Sequence, residues 1–362
     1  MLPTLRRRPR IVVLVSLVAG LAAAGALAGT ARQASVGAAV EGADGRAAQG
    51  RLAVHALRRA ASGQDDVRAE LKRLGASFRS YWIVDALAVT GTRAVVDALA
   101  RRPDVAAIES DRAFRGTAHE SSRKVSAAPQ GVEWNVDKIG APAVWKLGDT
   151  GQNMVYANAD TGVQWDHPAL ESHYRGWNGT SAAHDGNWWD AIHADLDGDG
   201  KSVCGFSSKT PCDDFGHGTH VMGTAVGDDG AGNQIGIAPG AKWIACRNMD
   251  NGTGRPSTYI ECLQFFLAPT DENGANPDPS KRPNVVGNSY SCPPEEGCSA
   301  GSLQTAIDNM RAAGVFMSVA AGNAGRGGCS SVTDPPALYD SAVTVGATDA
   351  NDLIAPFCRK IQ

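Results

Sequence analysis

Apolar and polar residues follow two different rhythms along this 362-residue chain. Between residues 51 and 115, short alternating stretches and helical stretches succeed one another in the order βαββαβ. The alternation predicts strands at 51–56, 80–85, 86–90 and 105–109, and the helical spacing predicts helices at 67–74 and 92–100. This order is typical of a small ferredoxin-like α+β unit.

After residue 132 the strands become continuously apolar, and helical stretches separate them. Strands are predicted at 154–159, 242–248, 284–288, 315–321 and 342–346, with a helix at 302–313. Apolar strands that alternate with helices predict an α/β fold, in which helices cover both faces of a parallel sheet. In such a sheet the chemistry lies at the carboxyl ends of the strands.

The first 28 residues have the composition of a signal peptide. Arginines at 6–10 precede an apolar run at 11–25, and Ala-Leu-Ala at 26–28 fits a signal-peptidase site. An uncleaved membrane anchor is the alternative, because the run approaches the length that spans a bilayer. We predict a secreted protein whose signal peptide comprises residues 1–28.

Changes in composition predict the remaining domain boundaries. The predicted segments are a linker at 29–50, the small unit at 51–116, a polar connector at 117–131 and the large α/β domain at 132–362. The net charge is −4, and no basic face is large enough to neutralise several phosphates, so a nucleic-acid partner is excluded. We expect a monomer.

The eight cysteines all lie beyond residue 200, and an exported chain with closely spaced cysteines is typically disulfide-bonded. The candidate pairs are Cys204–Cys212, Cys292–Cys298 and, less directly, Cys246–Cys262. Zinc binding is the rival interpretation, although the chain has no Cys-x-x-Cys spacing. Spacing alone leaves the connectivity open.

Two residues have the chemistry of a catalytic pair. Asp160 follows the strand predicted at 154–159, and His217 stands between two glycines in Phe-Gly-His-Gly-Thr-His. A fixed carboxylate and an imidazole are the partners that activate a serine hydroxyl. Taken alone, Asp160 could be a turn residue. His217 and His220 could bind zinc, although HGTH lacks the spacing and the glutamate of the zincin motif.

Together, these motifs resemble those of the subtilisin-like serine proteases (peptidase S8). The similar stretches are DTGV at 160–163, HGTHVMGT at 217–224, GIAPGA at 236–241, SVAAGNAG at 318–325 and SAVTVGA at 341–347. Each motif is modest by itself, but their shared order is specific. The unit at 51–116 likewise resembles the inhibitor I9-like propeptide of that family.

The resemblance implies a subtilisin-like parallel sheet and a role for each matching residue. His217 becomes the general base, Asp160 orients it, and Asn323 donates a hydrogen bond to the oxyanion. The substrates are polypeptides, and the propeptide is an intramolecular inhibitor and folding aid.

The resemblance also implies a substrate-binding strand. Its residues are Ser289, Tyr290 and Ser291. They correspond to the strand that pairs with substrate backbone and walls the first specificity pocket. The family usually has glycine where Ser291 stands, so the pocket shape is expected to differ.

The nucleophile of the family is not found where its motif predicts. It lies in Gly-Thr-Ser-Met-Ala-x-Pro after the oxyanion asparagine, and no such motif follows Asn323. Ser181 lies in Gly-Thr-Ser-Ala-Ala but precedes His217, against the chain order of the family. After Phe357 the chain reads CRKIQ, where the family continues Ser-Ser-Arg-Gly-Pro, as a frameshift or premature stop would produce.

We therefore expect a secreted serine endopeptidase precursor that is inactive as this chain, because the catalytic Ser is absent. The alternative is a non-catalytic homologue that acts through its propeptide as an inhibitor or chaperone of an intact subtilase.

One acidic loop carries three carboxylates at alternate positions. They are Asp195, Asp197 and Asp199. This pattern resembles the start of a calcium loop, but Phe206 stands where an EF-hand has glutamate. Asp213 or Asp214 could complete the shell. A solvated acidic turn is the alternative for the loop, and a secreted calcium-binding module is a third function for the chain.

Overall fold

The structure is a computed structural model that describes residues 11–17, 36, 39–41, 43–116, 131–328 and 330–359. The predicted signal peptide outside residues 11–17 and the predicted connector before Gly131 lie outside the described residues, as does much of the predicted linker. In the part of the chain that the structure describes, no helix is both long and apolar enough to cross a membrane.

The described helices and strands have the following bounds. The helices are α1 (Gly45–Ala60), α2 (Asp65–Arg73), α3 (Arg93–Ala100), α4 (Trp134–Lys138), α5 (Ala141–Trp145), α6 (His217–Val226), α7 (Pro256–Leu267) and α8 (Gln304–Ala312). The strands are β1 (Ile11–Leu17), β2 (Ser77–Tyr81), β3 (Ala86–Gly91), β4 (Val105–Ser110), β5 (Phe114–Arg115), β6 (Gly131–Val132), β7 (Val155–Asp160), β8 (Trp188–Asp190), β9 (Asn233–Gln234), β10 (Lys242–Arg247), β11 (Thr253–Gly254), β12 (Val285–Asn288), β13 (Phe316–Ala320) and β14 (Val343–Val345).

The larger sheet confirms the predicted α/β fold. Its six strands lie in the order β14-β13-β12-β7-β10-β8, and every neighbouring pair is parallel. Successive residues of a strand point to opposite faces, so β10 contributes Ile244 to one core and Trp243 to another. The first core includes Leu263 of α7, and the second includes Met222 of α6.

The N-terminal unit comprises β1 to β5 and α1 to α3. Its four-stranded sheet has the order β2-β3-β1-β4, in which β1 is parallel to both neighbours and β2 is antiparallel to β3. Val67 and Leu71 of α2 pack with Val95 and Leu99 of α3 over this sheet. The first strand is residues 11–17, part of the segment that the sequence assigns to a signal peptide.

The prediction of a strand at residues 51–56 is wrong, because they lie within helix α1. The buried positions of that helix are Gly50, Ala53, Val54 and Leu57, which have helical spacing. Ala53, Val54 and Leu57 pack into the core on the α7 side of the larger sheet. Helix α1 also begins at Gly45, inside the range expected to be linker.

Three disulfides join the predicted pairs. They are Cys204–Cys212, Cys246–Cys262 and Cys292–Cys298. The second links β10 to α7 through two fully buried residues. Cys358 is a buried free thiol, and Cys329 lies outside the described residues.

Strand β14 forms one edge of the larger sheet. Its side chains Val343 and Val345 are 48% and 51% exposed. This edge is therefore apolar and open to solvent.

Candidate active site

The end of β7 and the start of α6 bring the predicted catalytic pair together. His217 Nδ1 lies 2.7 Å from Asp160 Oδ1. The Asp160 side chain is 1% exposed and that of His217 is 15% exposed, so solvent screens the pair little. Since the carboxylate can only accept, neutral His217 carries its proton on Nδ1 and Nε2 becomes the basic nitrogen.

A glycine allows the turn that follows Asp160. Gly162 has a φ of +112°, and a Cβ there would lie 1.8 Å from the carbonyl oxygen of Cys212. Gly162 also forms an antiparallel bridge with Asp213. The chain leaving β7 is therefore held against the loop that leads into α6.

Asp213 is a positioning residue that the sequence did not identify. Its Oδ1 accepts hydrogen bonds from Thr161 Oγ1 at 2.8 Å and from the backbone of Gly216 at 2.8 Å. Its Oδ2 accepts from Thr219 N at 2.8 Å, in the first turn of α6. Thr161 Oγ1 in turn accepts from Gly218 N at 2.9 Å. An Asp at the start of a glycine-rich helix was the available signal, because such residues cap helix N-termini.

The environment of His217 raises the pKa of its imidazole. Burial lowers this pKa, but the hydrogen bond that His217 donates to Asp160 and the charges of Asp160 and Asp213 outweigh burial. Protonated His217 is therefore stabilised, which is what a base needs when it takes a proton during catalysis.

Asn323 lies in the loop after β13 and lines a cavity of about 550 Å³. His220 and Val221 of α6 line the same cavity, as does Ser289. Asn323, the predicted oxyanion donor, and Ser289, a predicted substrate-binding residue, thus line one cavity together with the residues of α6 that come three and four positions after His217.

The other two predicted substrate-binding residues lie differently. Tyr290 is buried, and its ring stacks on Tyr259 of α7 with centroids 4.2 Å apart. Ser291 is half-buried next to the Cys292–Cys298 disulfide. Tyr290 therefore packs against α7, next to Ser289, which lines the cavity.

Ser181 forms its hydrogen bonds with Asn178, in a turn of its own. It is exposed, and it shares a tight turn in which its backbone amide donates to Asn178 Oδ1 at 2.9 Å. This agrees with its rejection as the nucleophile.

The acidic loop brings its three carboxylates together. Oxygens of Asp195, Asp197 and Asp199 all lie within 4.8 Å of one another. Backbone amides of Gly198 and Gly200 donate to Asp195, which holds the loop closed. Carboxylate oxygens on a tight loop are the ligands that Ca²⁺ prefers, so the donor set fits this ion.

Asp213 and Asp214 do not join that group. Asp213 is bonded to the α6 loop, and Asp214 pairs with the fully buried guanidinium of Arg247. Arg247 also pairs with Asp190 at 3.2 Å and Asp250 at 2.8 Å. Burial raises the pKa of Asp214 to about 6, although the charge of Arg247 opposes this. The close cluster of carboxylates thus comprises Asp195, Asp197 and Asp199 without Asp213 or Asp214.

The sequence profile of the subtilase family matches residues 151–361, which is more than half of the chain. The chain belongs to the subtilase family. The subtilase family is a family of serine endopeptidases, and the six-stranded parallel sheet agrees with its fold.

Several subtilases of known name are similar to this chain. Bacillopeptidase F of Bacillus subtilis (strain 168) is 36% identical over 294 residues, which cover 77% of this chain and 19% of that protein. Subtilisin E of the same organism is 28% identical over 280 residues, 77% of this chain and 60% of that protein. The alkaline protease of Shouchella clausii is 29% identical over 255 residues, 70% and 54% respectively. This chain thus spans less than two thirds of each of these subtilases.

Proposed function

We propose that this chain is the precursor of a secreted serine endopeptidase and carries two of the three triad residues. The observation that supports this most is the 2.7 Å contact between Asp160 and His217 at the carboxyl end of a parallel strand. Asn323 is the proposed oxyanion donor, because it lies in the loop after β13 on the cavity beside α6.

Each residue has a defined step in peptide hydrolysis. His217 Nε2 takes the proton of a serine hydroxyl as that oxygen attacks the scissile carbonyl. Asp160 holds the Nδ1 tautomer and stabilises the imidazolium that results. His217 then gives the proton to the leaving amine. The 362 residues contain no Gly-Thr-Ser-Met-Ala motif to supply the serine, so we propose that this chain does not complete the step by itself.

Two measurements test this function. A fluorophosphonate probe is expected to label no serine in the 362-residue chain. A chimera in which the residues after Asn323 are replaced by the corresponding segment of subtilisin E is expected to hydrolyse peptides. His217→Ala in that chimera should abolish hydrolysis, whereas His220→Ala should retain most of it. A folded chimera whose activity survives His217→Ala would contradict the assignment.

Residues 51–116 of the N-terminal unit are proposed to be an inhibitory propeptide. The last strand of this unit, β5, pairs antiparallel with β11, where Phe114 is opposite Gly254 and Arg115 opposite Thr253. Gly116 N donates to Gly252 O at 3.3 Å. Extended backbone added to a strand is a common mode of peptide recognition.

The pairing of β5 with β11 lies beside the loop that leads to His217. A Cβ at Gly252 would lie 3.5 Å from the ring of Phe215, which precedes His217 by two residues. The segment 114–116 is therefore extended and pairs with a strand that lies beside the loop leading to His217. This supports inhibition by occupation of the cleft.

Other contacts of the N-terminal unit favour a second function, the inhibition of an intact subtilase. The segment after β2 docks between α7 and α8, where Ile83 is fully buried and Gln264 Oε1 accepts from Trp82 N at 2.7 Å. Asn309 Nδ2 donates to Ile83 O at 2.7 Å. Such a unit could inhibit an intact subtilase in trans. Adding the N-terminal piece, released from the chain by cleavage within residues 117–130, to active subtilisin E should then reduce the peptide hydrolysis of that enzyme.

We also propose a structural calcium ion at the loop of Asp195, Asp197 and Asp199. The proximity of their oxygens supports it, and the acidic loop lies next to the buried charges around Arg247. When bound, the ion would hold this loop rather than take part in hydrolysis.

A further inference from the structure

Carboxyl groups from both units meet where the N-terminal unit contacts the Cys292–Cys298 loop. Asp111 comes from the segment after β4, and Glu296 comes from the disulfide-closed loop. Both are buried, with exposures of 4% and 1%. The two backbones also touch here, since a Cβ at Gly297 would lie 2.8 Å from Ser110 Cβ.

Asp111 is held at the start of helix α7. Its Oδ1 accepts from Ser257 N at 2.8 Å, and its Oδ2 accepts from Ser257 Oγ at 2.7 Å. Arg255 Nε lies 3.7 Å away. A carboxylate at a helix N-terminus is stabilised by the unpaired backbone amides and the helix dipole. The contact therefore fixes the Asp111 carboxyl at the start of α7.

Glu296 has no comparable compensation. Its Oε1 has no hydrogen-bond partner among the residues that the structure describes. Tyr259 of α7 hydrogen-bonds to the carboxyl group of Glu296. The charge of Asp111 acts on the pKa of Glu296, and the charge of Glu296 acts on the pKa of Tyr290. None of the three offers a positive charge. An ionised Glu296 would thus be close to another carboxylate in a buried interface.

We propose that Glu296 controls the docking of the N-terminal unit by its protonation. When the carboxyl is neutral, the two units pack around it. When it is ionised, repulsion from Asp111 and loss of solvation loosen the interface. This rests on the proposed role of the N-terminal unit as a detachable inhibitor.

The direction of the pH effect follows from burial. Burial and, to a lesser extent, the charge of Asp111 raise the pKa of Glu296 from its ordinary 4.5 to about 8, although the hydrogen bond from Tyr259 opposes this. When the units separate, water reaches this carboxyl and the pKa falls. The docked state therefore binds more protons, so docking is strongest at low pH and weakens as pH rises towards about 8.

Other groups at this interface do not reverse that direction. Burial raises the pKa of Tyr259 and of Tyr290 above their ordinary values, so neither ionises in this range. Glu109, whose side chain accepts from Ser302 Oγ at 3.2 Å, also has a pKa raised by burial. It adds a smaller effect of the same sign.

The test uses the full chain with a cleavage site for a sequence-specific protease placed within residues 117–130. After cleavage, the dissociation constant of the two pieces is measured from about pH 5.5 to about pH 8.5. We expect the constant to rise about tenfold or more in the wild-type chain and less than about threefold in Glu296→Gln. Glu295→Gln is the matched control, because Glu295 is exposed in the same loop and should behave like wild type.

A second variant guards against misfolding of the first. Asp111→Asn keeps an oxygen for Ser257 but removes the charge that faces Glu296, so the pH dependence should become shallower. A Glu296→Gln chain that keeps the wild-type profile overturns the proposal, as does a wild-type constant that is independent of pH. Inhibition of subtilisin E by the released N-terminal piece is scored separately, and its failure would count against the propeptide role instead.

Discussion

A Cβ at Gly218 would lie 2.0 Å from the carbonyl oxygen of Gly162 and 3.1 Å from Asp160 Cβ. The second residue of α6 thus touches the turn that carries the catalytic carboxylate. No side chain fits between them, and this closeness is what sets the distance from His217 to Asp160.

Gly218→Ala is therefore expected to force α6 away from β7. The overpacking should lower the free energy of unfolding by about 1–3 kcal/mol, measured by urea denaturation. Gly223→Ala in the same helix is the control, because a Cβ there meets nothing within 4 Å. It should be neutral or stabilising by up to about 1 kcal/mol. Equal effects of the two variants would contradict this explanation.

The pKa of His217 should depend on its carboxylate partner. The Asp160 hydrogen bond and charge raise it against the effect of burial, so Asp160→Asn should lower it. Since a raised pKa stabilises the folded state below the ordinary value of 6.5, that stabilisation is lost as pH rises through the folded pKa. NMR titration of the imidazole measures both values. Exposed His220 serves as the internal reference, and an unchanged His217 titration would exclude the pairing.

Removing the buried disulfide Cys246–Cys262 should lower the free energy of unfolding more than removing the half-buried disulfide Cys204–Cys212. Cys246 and Cys262 join β10 to α7 across 16 residues and are both fully buried. Their double Ala variant should lose about 3 kcal/mol from chain entropy, plus the packing of both side chains. Thermal unfolding of a Cys204→Ala/Cys212→Ala chain gives the comparison, since that pair is only half-buried. A larger loss for the surface pair would refute the ranking.

Calcium should raise the thermal stability of the chain through the acidic loop. At about 100 times its dissociation constant, a bound ion adds about 2.7 kcal/mol to the free energy of unfolding. Asp197→Asn should reduce the calcium-dependent shift in Tm, and a chelator should reverse it. Asp271→Asn tests specificity, because Asp271 is an acidic turn outside the cluster of three carboxylates. A shift that persists in Asp197→Asn places the ion elsewhere.

The contact between Asp160 and His217 could be predicted because its signals are local. Asp160 ends an apolar strand and His217 begins a glycine-flanked helix, so each is visible in a window of a few residues. The short disulfides were predictable for the same reason. The role of Asp213 was only partly predictable. Its bond to Thr219 at the start of α6 is local, but its bond to Thr161 joins residues 52 positions apart.

The strand predicted at 51–56 shows the limit of a short window. Arg-Leu-Ala-Val-His-Ala alternates over six residues, but the helical spacing from Gly50 to Leu57 emerges only over a longer stretch. The contacts that dock the N-terminal unit were also beyond the sequence. Asp111 and Ser257 are 146 positions apart, and no local pattern links them.

The open edge at β14 has a practical consequence for anyone who prepares this protein. Its backbone amides and carbonyls are a template for strand pairing between molecules, and Val343 and Val345 add an adhesive apolar surface. The chain will therefore tend to precipitate when it is concentrated. A lysine in place of Val343 is the simplest way to keep it in solution, because Val345 also lines the cavity beside Asn323.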